Sequence, residues 1–72
     1  MKKINKIKIK INGKFSMINE NLNLSDFLKQ LKIPFKKVAI ELNGEIIDKN
    51  KTNKIKLKSN DKIEIVHFIG GG

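Results

Sequence analysis

Between Lys6 and Ile11 the chain alternates, with Ile7, Ile9 and Ile11 on one side and Lys6, Lys8 and Lys10 on the other. A period of two places one face in a core and the other in water, which predicts a strand. Asn12-Gly13 follows. This pair suits a type I′ turn, which needs positive φ at both central residues, so a hairpin is expected. The return strand runs from Lys14 to Ile18, with Phe15 and Met17 sharing a face. Ile18 falls out of phase with them, and a bend or an end is expected there.

Residues 19–21 are polar and read as a loop. A helix start comes next. Asn23 suits the N-cap, and Asp26 falls at N3, where a carboxylate meets the positive end of the helix. Leu22 and Phe27 have the spacing of a hydrophobic staple. Leu24, Phe27, Leu28 and Leu31 lie at i, i+3, i+4 and i+7, one apolar stripe. Pro34 stops the helix at or before Ile33. About two turns of helix are too few to persist in water without a sheet to lie on.

A third strand spans Lys37 to Leu42, with Val38, Ile40 and Leu42 on one face. Asn43-Gly44 repeats the hairpin signal, and Glu45 to Asp48 forms a short return strand. Lys49 to Lys54 reads as a polar surface loop. Ile55 and Leu57 read as apolar anchors on a short helical turn. Asn60-Asp61 turns the chain into a last strand, Lys62 to Phe68, whose alternation fails beyond Val66. One helix with an apolar stripe and one sheet with an apolar face bury each other in a two-layer α+β domain.

Length and charge narrow the functions open to it. Seventy-two residues make one small domain with little capacity for a substrate pocket. The absence of Cys excludes disulfides, thiolate zinc sites and a thiol nucleophile. The basic residues at the start are followed by no apolar run, so no leader is expected, and no stretch approaches a membrane span. The formal net charge is +9, which suits nucleic acid, an anionic membrane or an acidic protein. All 16 basic residues are Lys, however, and they are spread along the chain. The planar fork of Arg, used to read base edges, is missing. Lys, Asn and Ile make up more than half of the residues, so much of the charge reflects composition, with some steering toward acidic partners. His67, the lone His, reads as a packed or surface residue. Glu41, Glu45 and Glu64 share no spacing suited to an acid–base pair or a metal.

The remaining candidate is the tail, Ile69-Gly70-Gly71-Gly72, directly after the apolar run that begins at Ile63. Residues 1–69 are expected to form the domain and 70–72 a flexible tail, because glycine lacks the Cβ that restricts the backbone. Extended, the four residues from Ile69 reach roughly 13 Å, enough to place the Gly72 carboxylate inside another protein's cleft. Phe68 and Ile69 suit either the core or an apolar collar that docks the base of the tail onto a partner.

Four stretches carry a family likeness: Ile-Asn-Gly at 11–13, Leu-Ser-Asp-Phe-Leu at 24–28, Val-Ala-Ile-Glu-Leu-Asn-Gly-Glu-Ile at 38–46, and the run from Asp61 to Gly72. Together they resemble the ThiS family, the bacterial sulfur carriers of thiamine biosynthesis. The resemblance implies an α+β ubiquitin-like β-grasp fold, a mixed sheet of four or five strands packed on one main helix. It also implies that the first and last strands lie side by side in parallel. It maps the family's glycine pair onto Gly71 and Gly72, with Gly72 carrying the sulfur and Gly70 and Gly71 threading into partner sites. It implies no catalytic residue, metal or bound cofactor in the chain itself.

The partners that the resemblance implies are a ThiF-like adenylyltransferase using ATP and magnesium, a ThiG-like thiazole synthase, and a cysteine desulfurase or other sulfur donor. The setting is the cytoplasm, with neither nucleic acid nor membrane as a partner. The adenylated Gly72 carboxylate would become a thiocarboxylate that gives its sulfur to thiazole synthase. Two rivals stand beside this reading. The small subunit of molybdopterin synthase uses the same tail chemistry, but it tends to be longer, with prolines before a terminal Ala-Gly-Gly. A basic RNA-binding module of the same shape predicts steeply salt-dependent binding and indifference to loss of the last two residues.

Overall fold

The computed structural model describes residues 5–67. Five strands form one sheet: β1 (Lys6–Ile11), β2 (Lys14–Asn19), β3 (Val38–Leu42), β4 (Glu45–Ile46) and β5 (Lys62–His67). Their spatial order is β2-β1-β5-β3-β4. β1 and β5 are parallel neighbours, and the other pairs are antiparallel. Among the described residues one helix, α1 (Leu24–Gln30), and two 3-10 segments, Phe35–Lys37 and Lys49–Lys54, complete the elements. This is the mixed β-grasp arrangement, with β5 at the centre of the sheet.

One face of the sheet meets α1. Ile9, Ile18, Val38, Ile40, Ile63 and Ile65 come from the strands. Leu24, Phe27 and Leu28 come from the helix, and Leu57 from the long connection. Ile9, Leu24, Leu28, Val38, Ile40 and Ile63 have no exposed surface. Each such side chain contributes about 1.5–3 kcal/mol relative to exposure, and no disulfide supplements them.

Both Asn-Gly turns form as expected, with φ of 47° and 83° at Asn12 and Gly13 and 52° and 88° at Asn43 and Gly44. The first turn corrects the expectation for Ile18. A two-residue loop sets Ile11 opposite Lys14, and the ladder then pairs Ile9 with Ser16 and Ile7 with Ile18. Partners directly opposite share a face, so Ile18 joins the isoleucines of β1 and is buried, while Phe15 and Met17 are 68% and 56% exposed. The strand neither bends nor ends at Ile18; it continues to Asn19.

The helix starts where the sequence places it. Asn23 Oδ1 accepts from the Asp26 N–H at 2.7 Å. Its end differs in one respect. Lys32 has φ of 58°, its N–H bonds the Lys29 carbonyl, and the Ile33 N–H bonds the Leu28 carbonyl. These two bonds make a Schellman cap. The reversal at Lys32 turns Ile33 onto the core and leaves Leu31, the expected fourth member of the stripe, 42% exposed.

The long connection is also reordered. The helical turn falls on Lys49–Lys54, opened by the Asp48 carboxylate accepting from the Asn50 N–H at 2.9 Å. That cap also ends the short return strand, so β4 is shorter than expected. Ile55 and Leu57 lie after the turn, extended beside the helix start. The Ile55 carbonyl accepts from the Leu24 N–H at 2.8 Å, and the Leu57 N–H donates to the Leu22 carbonyl at 2.9 Å. Alternate spacing in an extended segment, not helical spacing, sends both toward the core.

Candidate functional site at the exit of the last strand

β5 leads to the glycine tail, so its anchoring decides where the tail starts. Its inward residues, Ile63 and Ile65, are buried, and Lys62, Glu64 and Val66 face out. Each flank is closed by the asparagine of a hairpin turn. At the entrance, the Asn43 N–H donates to the Lys62 carbonyl at 2.7 Å, and Asn43 Oδ1 accepts from the Lys62 N–H at 2.9 Å. Asn43 Nδ2 also donates to Asp61 Oδ1 at 3.0 Å. The other Asp61 oxygen accepts from the Lys58 N–H at 2.8 Å and fixes the turn into β5.

At the exit, the Asn12 N–H donates to the Ile63 carbonyl at 2.9 Å, and Asn12 Oδ1 accepts from the Ile65 N–H at 2.7 Å. β1 has turned away at this point, so a side-chain carbonyl continues the ladder that its backbone has left. Asparagine suits both positions because it tolerates left-handed φ and carries an acceptor the length of a peptide carbonyl. The sequence points to the two turns. The grip of their side chains on β5 was missed, since no local spacing links residue 12 to residue 65.

Past Ile65 the strand is paired through β3, with Ala39 opposite Val66 and Val38 opposite His67. Val66 is 54% exposed, and His67 is exposed as well. Phe68, Ile69, Gly70, Gly71 and Gly72 lie outside the described residues.

Among the described residues no group of three or more His, Cys, Asp or Glu could hold a metal ion. Glu41 and Glu64 face each other across β3 and β5. They line an open hollow of about 430 Å³ together with Asn43, Gly44 and Lys62. Among the described residues no helix is long and apolar enough to cross a membrane. The outward face of the sheet is instead marked by exposed apolar side chains: Phe15 and Met17 on β2, Ile46 on β4 and Val66 on β5.

The family model described as "ThiS family" matches residues 3–72. The chain belongs to the ThiS family. It is a sulfur carrier of thiamine biosynthesis, and the molybdopterin-synthase alternative gives way to that membership. The chain is 37% identical over 65 residues to the sulfur carrier protein ThiS of Bacillus subtilis, covering 89% of this chain and 98% of that one. It is 36% identical over 66 residues to a thiazole synthase of Paramagnetospirillum magneticum, covering 92% of this chain. There it spans only 20% of the longer protein's length, so the likeness is to a ThiS-like segment. The crystal structure of the ThiS thiamine biosynthesis protein from Geobacter metallireducens superposes with a TM-score of 0.81 at 33% identity. That match covers 92% of this chain and 100% of that one.

Proposed function

We propose that the carboxylate of Gly72 is the cargo site of this ThiS-family chain, which acts as a protein co-substrate and not as an enzyme. A carboxylate is a poor electrophile. In the proposed cycle a carboxylate oxygen attacks the α-phosphorus of ATP on a ThiF-like, magnesium-dependent adenylyltransferase, and pyrophosphate leaves. The outer persulfide sulfur of a cysteine desulfurase then attacks the acyl carbon and expels AMP, and a thiol reductant cleaves the resulting acyl disulfide, whereas a donor of sulfide expels AMP and gives the same product directly. The product is a thiocarboxylate, whose sulfur is the better nucleophile and passes to a ThiG-like thiazole synthase. The cycle is placed in the cytoplasm.

The observation that carries this reading is the family match reaching residue 72, joined to a last strand clamped by Asn43 and Asn12 up to Ile65. The clamps hold the scaffold fixed while residues 68–72 enter a partner. A glycine terminus leaves the acyl carbon without a β-carbon to obstruct attack. Gly70 and Gly71 would thread the partner's channel, with Phe68 and Ile69 as the collar that docks. The partner assignment is supported by proteins such as the Paramagnetospirillum thiazole synthase, in which a ThiS-like segment and a longer chain are one polypeptide.

The test is Gly72→Val. It leaves the folded scaffold intact and abolishes ATP-dependent pyrophosphate release with the adenylyltransferase. Release at the unsubstituted rate would contradict the assignment.

A further inference from the structure

β2 is the edge of the sheet, paired with β1 alone. Among the described residues no strand pairs with its other side. The Glu20 N–H donates to the Asn5 carbonyl at 2.8 Å, which sets the phase of the ladder. In an antiparallel pair the bonded and non-bonded positions alternate. Lys14, Ser16 and Ile18 therefore bond β1, and Phe15 and Met17 direct their backbone N–H and carbonyl groups to the open edge, as Asn19 does its N–H, its carbonyl accepting from the Leu22 N–H at 3.4 Å. The side chains of Phe15 and Met17 are also on the exposed face, at 68% and 56%. One short strand thus offers unpaired backbone and apolar surface at the same residues.

Charge defines what can use it. Lys8 and Lys10 on β1 stand opposite Met17 and Phe15. Their ammonium groups lie 4.8 and 5.1 Å from the centroid of the Phe15 ring. Two cations are thereby carried toward the edge, each favoured by the ring's face. A second copy of a +9 chain would bring lysines against lysines, and lysine beside an edge strand is a known guard against self-pairing. The same lysines favour a partner of opposite sign.

We infer that β2 is a docking edge for an extended acidic segment of a partner protein, one in which carboxylate and apolar side chains alternate. The segment adds to the sheet as a sixth strand. Its backbone bonds Phe15, Met17 and the Asn19 N–H, its carboxylates lie on the face of Phe15 and Met17 and meet the ammonium groups of Lys8 and Lys10, and its apolar side chains fall on the other face, that of Ser16 and Ile18. Backbone bonds supply affinity in this mode, and alternate side chains supply selectivity.

The test uses the isotopically labelled full chain and a synthetic peptide of alternating aspartate and valine, roughly as long as β2. The inference predicts saturable amide shifts at Phe15, Met17 and Asn19 and exchange at those amides slowed at least about tenfold. Raised salt weakens binding. Met17→Pro, which removes an outward N–H at a position where an edge strand tolerates proline, abolishes it. The Lys8→Glu, Lys10→Glu double substitution on the solvent face lowers affinity at least about tenfold, and it carries the test should Met17→Pro fail to fold. Gly72→Val leaves peptide binding unchanged, so this inference and the tail chemistry fail separately. Equal binding of a lysine–valine peptide, shifts confined to β4 or Val66, a dimer formed through β2, or no saturation would overturn it.

Discussion

Asn12 Oδ1 accepts a hydrogen bond from the Ile65 N–H at 2.7 Å, joining the first hairpin turn to the last strand across 53 positions of sequence. The bond lies where β1 leaves the sheet and β5 continues toward the tail. One residue thus shapes the hairpin through its backbone and holds the exit of β5 through its side chain. Asn43 performs the same two tasks at the entrance.

Asn12→Gly separates those tasks. Glycine retains positive φ and the turn but removes the acceptor and leaves the part-buried Ile65 N–H without it. Urea denaturation is expected to show a loss of about 1–2 kcal/mol, and hydrogen exchange at Ile65 should accelerate more than at Ile40. No loss of stability would mean that the turn alone matters.

The register of β2 gives a paired prediction. Ile18→Ala removes core volume and is expected to cost about 2–4 kcal/mol. Phe15→Ser, although it deletes a larger side chain, should cost less than about 1 kcal/mol, because that ring is mostly solvent-exposed and chiefly meets lysine. Equal costs in thermal or urea unfolding would contradict the register.

Lys32 occupies the left-handed position of the helix cap, at φ 58°. A side chain there is strained by about 1–2 kcal/mol, partly offset in a glycine variant by the greater freedom of its unfolded chain. Lys32→Gly should therefore raise stability by about 0.5–1 kcal/mol. At the other end of the helix, Asn23→Ala should lower it by about 1 kcal/mol through loss of the bond to the Asp26 N–H.

Most elements were legible in the sequence because they rest on local chemistry. The isoleucine–lysine alternation gives β1, the two Asn-Gly pairs give the hairpins, and Asn23 with Asp26 gives the helix start. The inward turn of Ile18 was also recoverable, since a two-residue turn pairs residue 11 with 14 and therefore 7 with 18. The out-of-phase reading followed Phe15 and Met17 on hydrophobicity alone. The stripe's spacing carries Leu31 inward, but the cap that ends the helix is formed by a lysine where glycine is usual, so no residue type marks it. Ile55 and Leu57 are too few to show a period, so their spacing does not separate a helical turn from an extended segment. The neighbourhood of β1 and β5 came through family likeness, since parallel pairing between distant strands leaves no local trace. The tail glycines stand out as a motif, and their assignment rests on the family and on chemistry.

The most direct measurement is the intact mass of the chain after incubation with a ThiF-like adenylyltransferase, ATP, magnesium and a sulfur source. Replacement of one terminal oxygen by sulfur predicts a gain of about 16 Da, since the activated acyl carbon is the electrophile that nucleophilic transfer needs. The gain should require ATP and vanish when Gly72 is removed. An unchanged mass with an active partner, or a gain that survives loss of Gly72, would contradict the account.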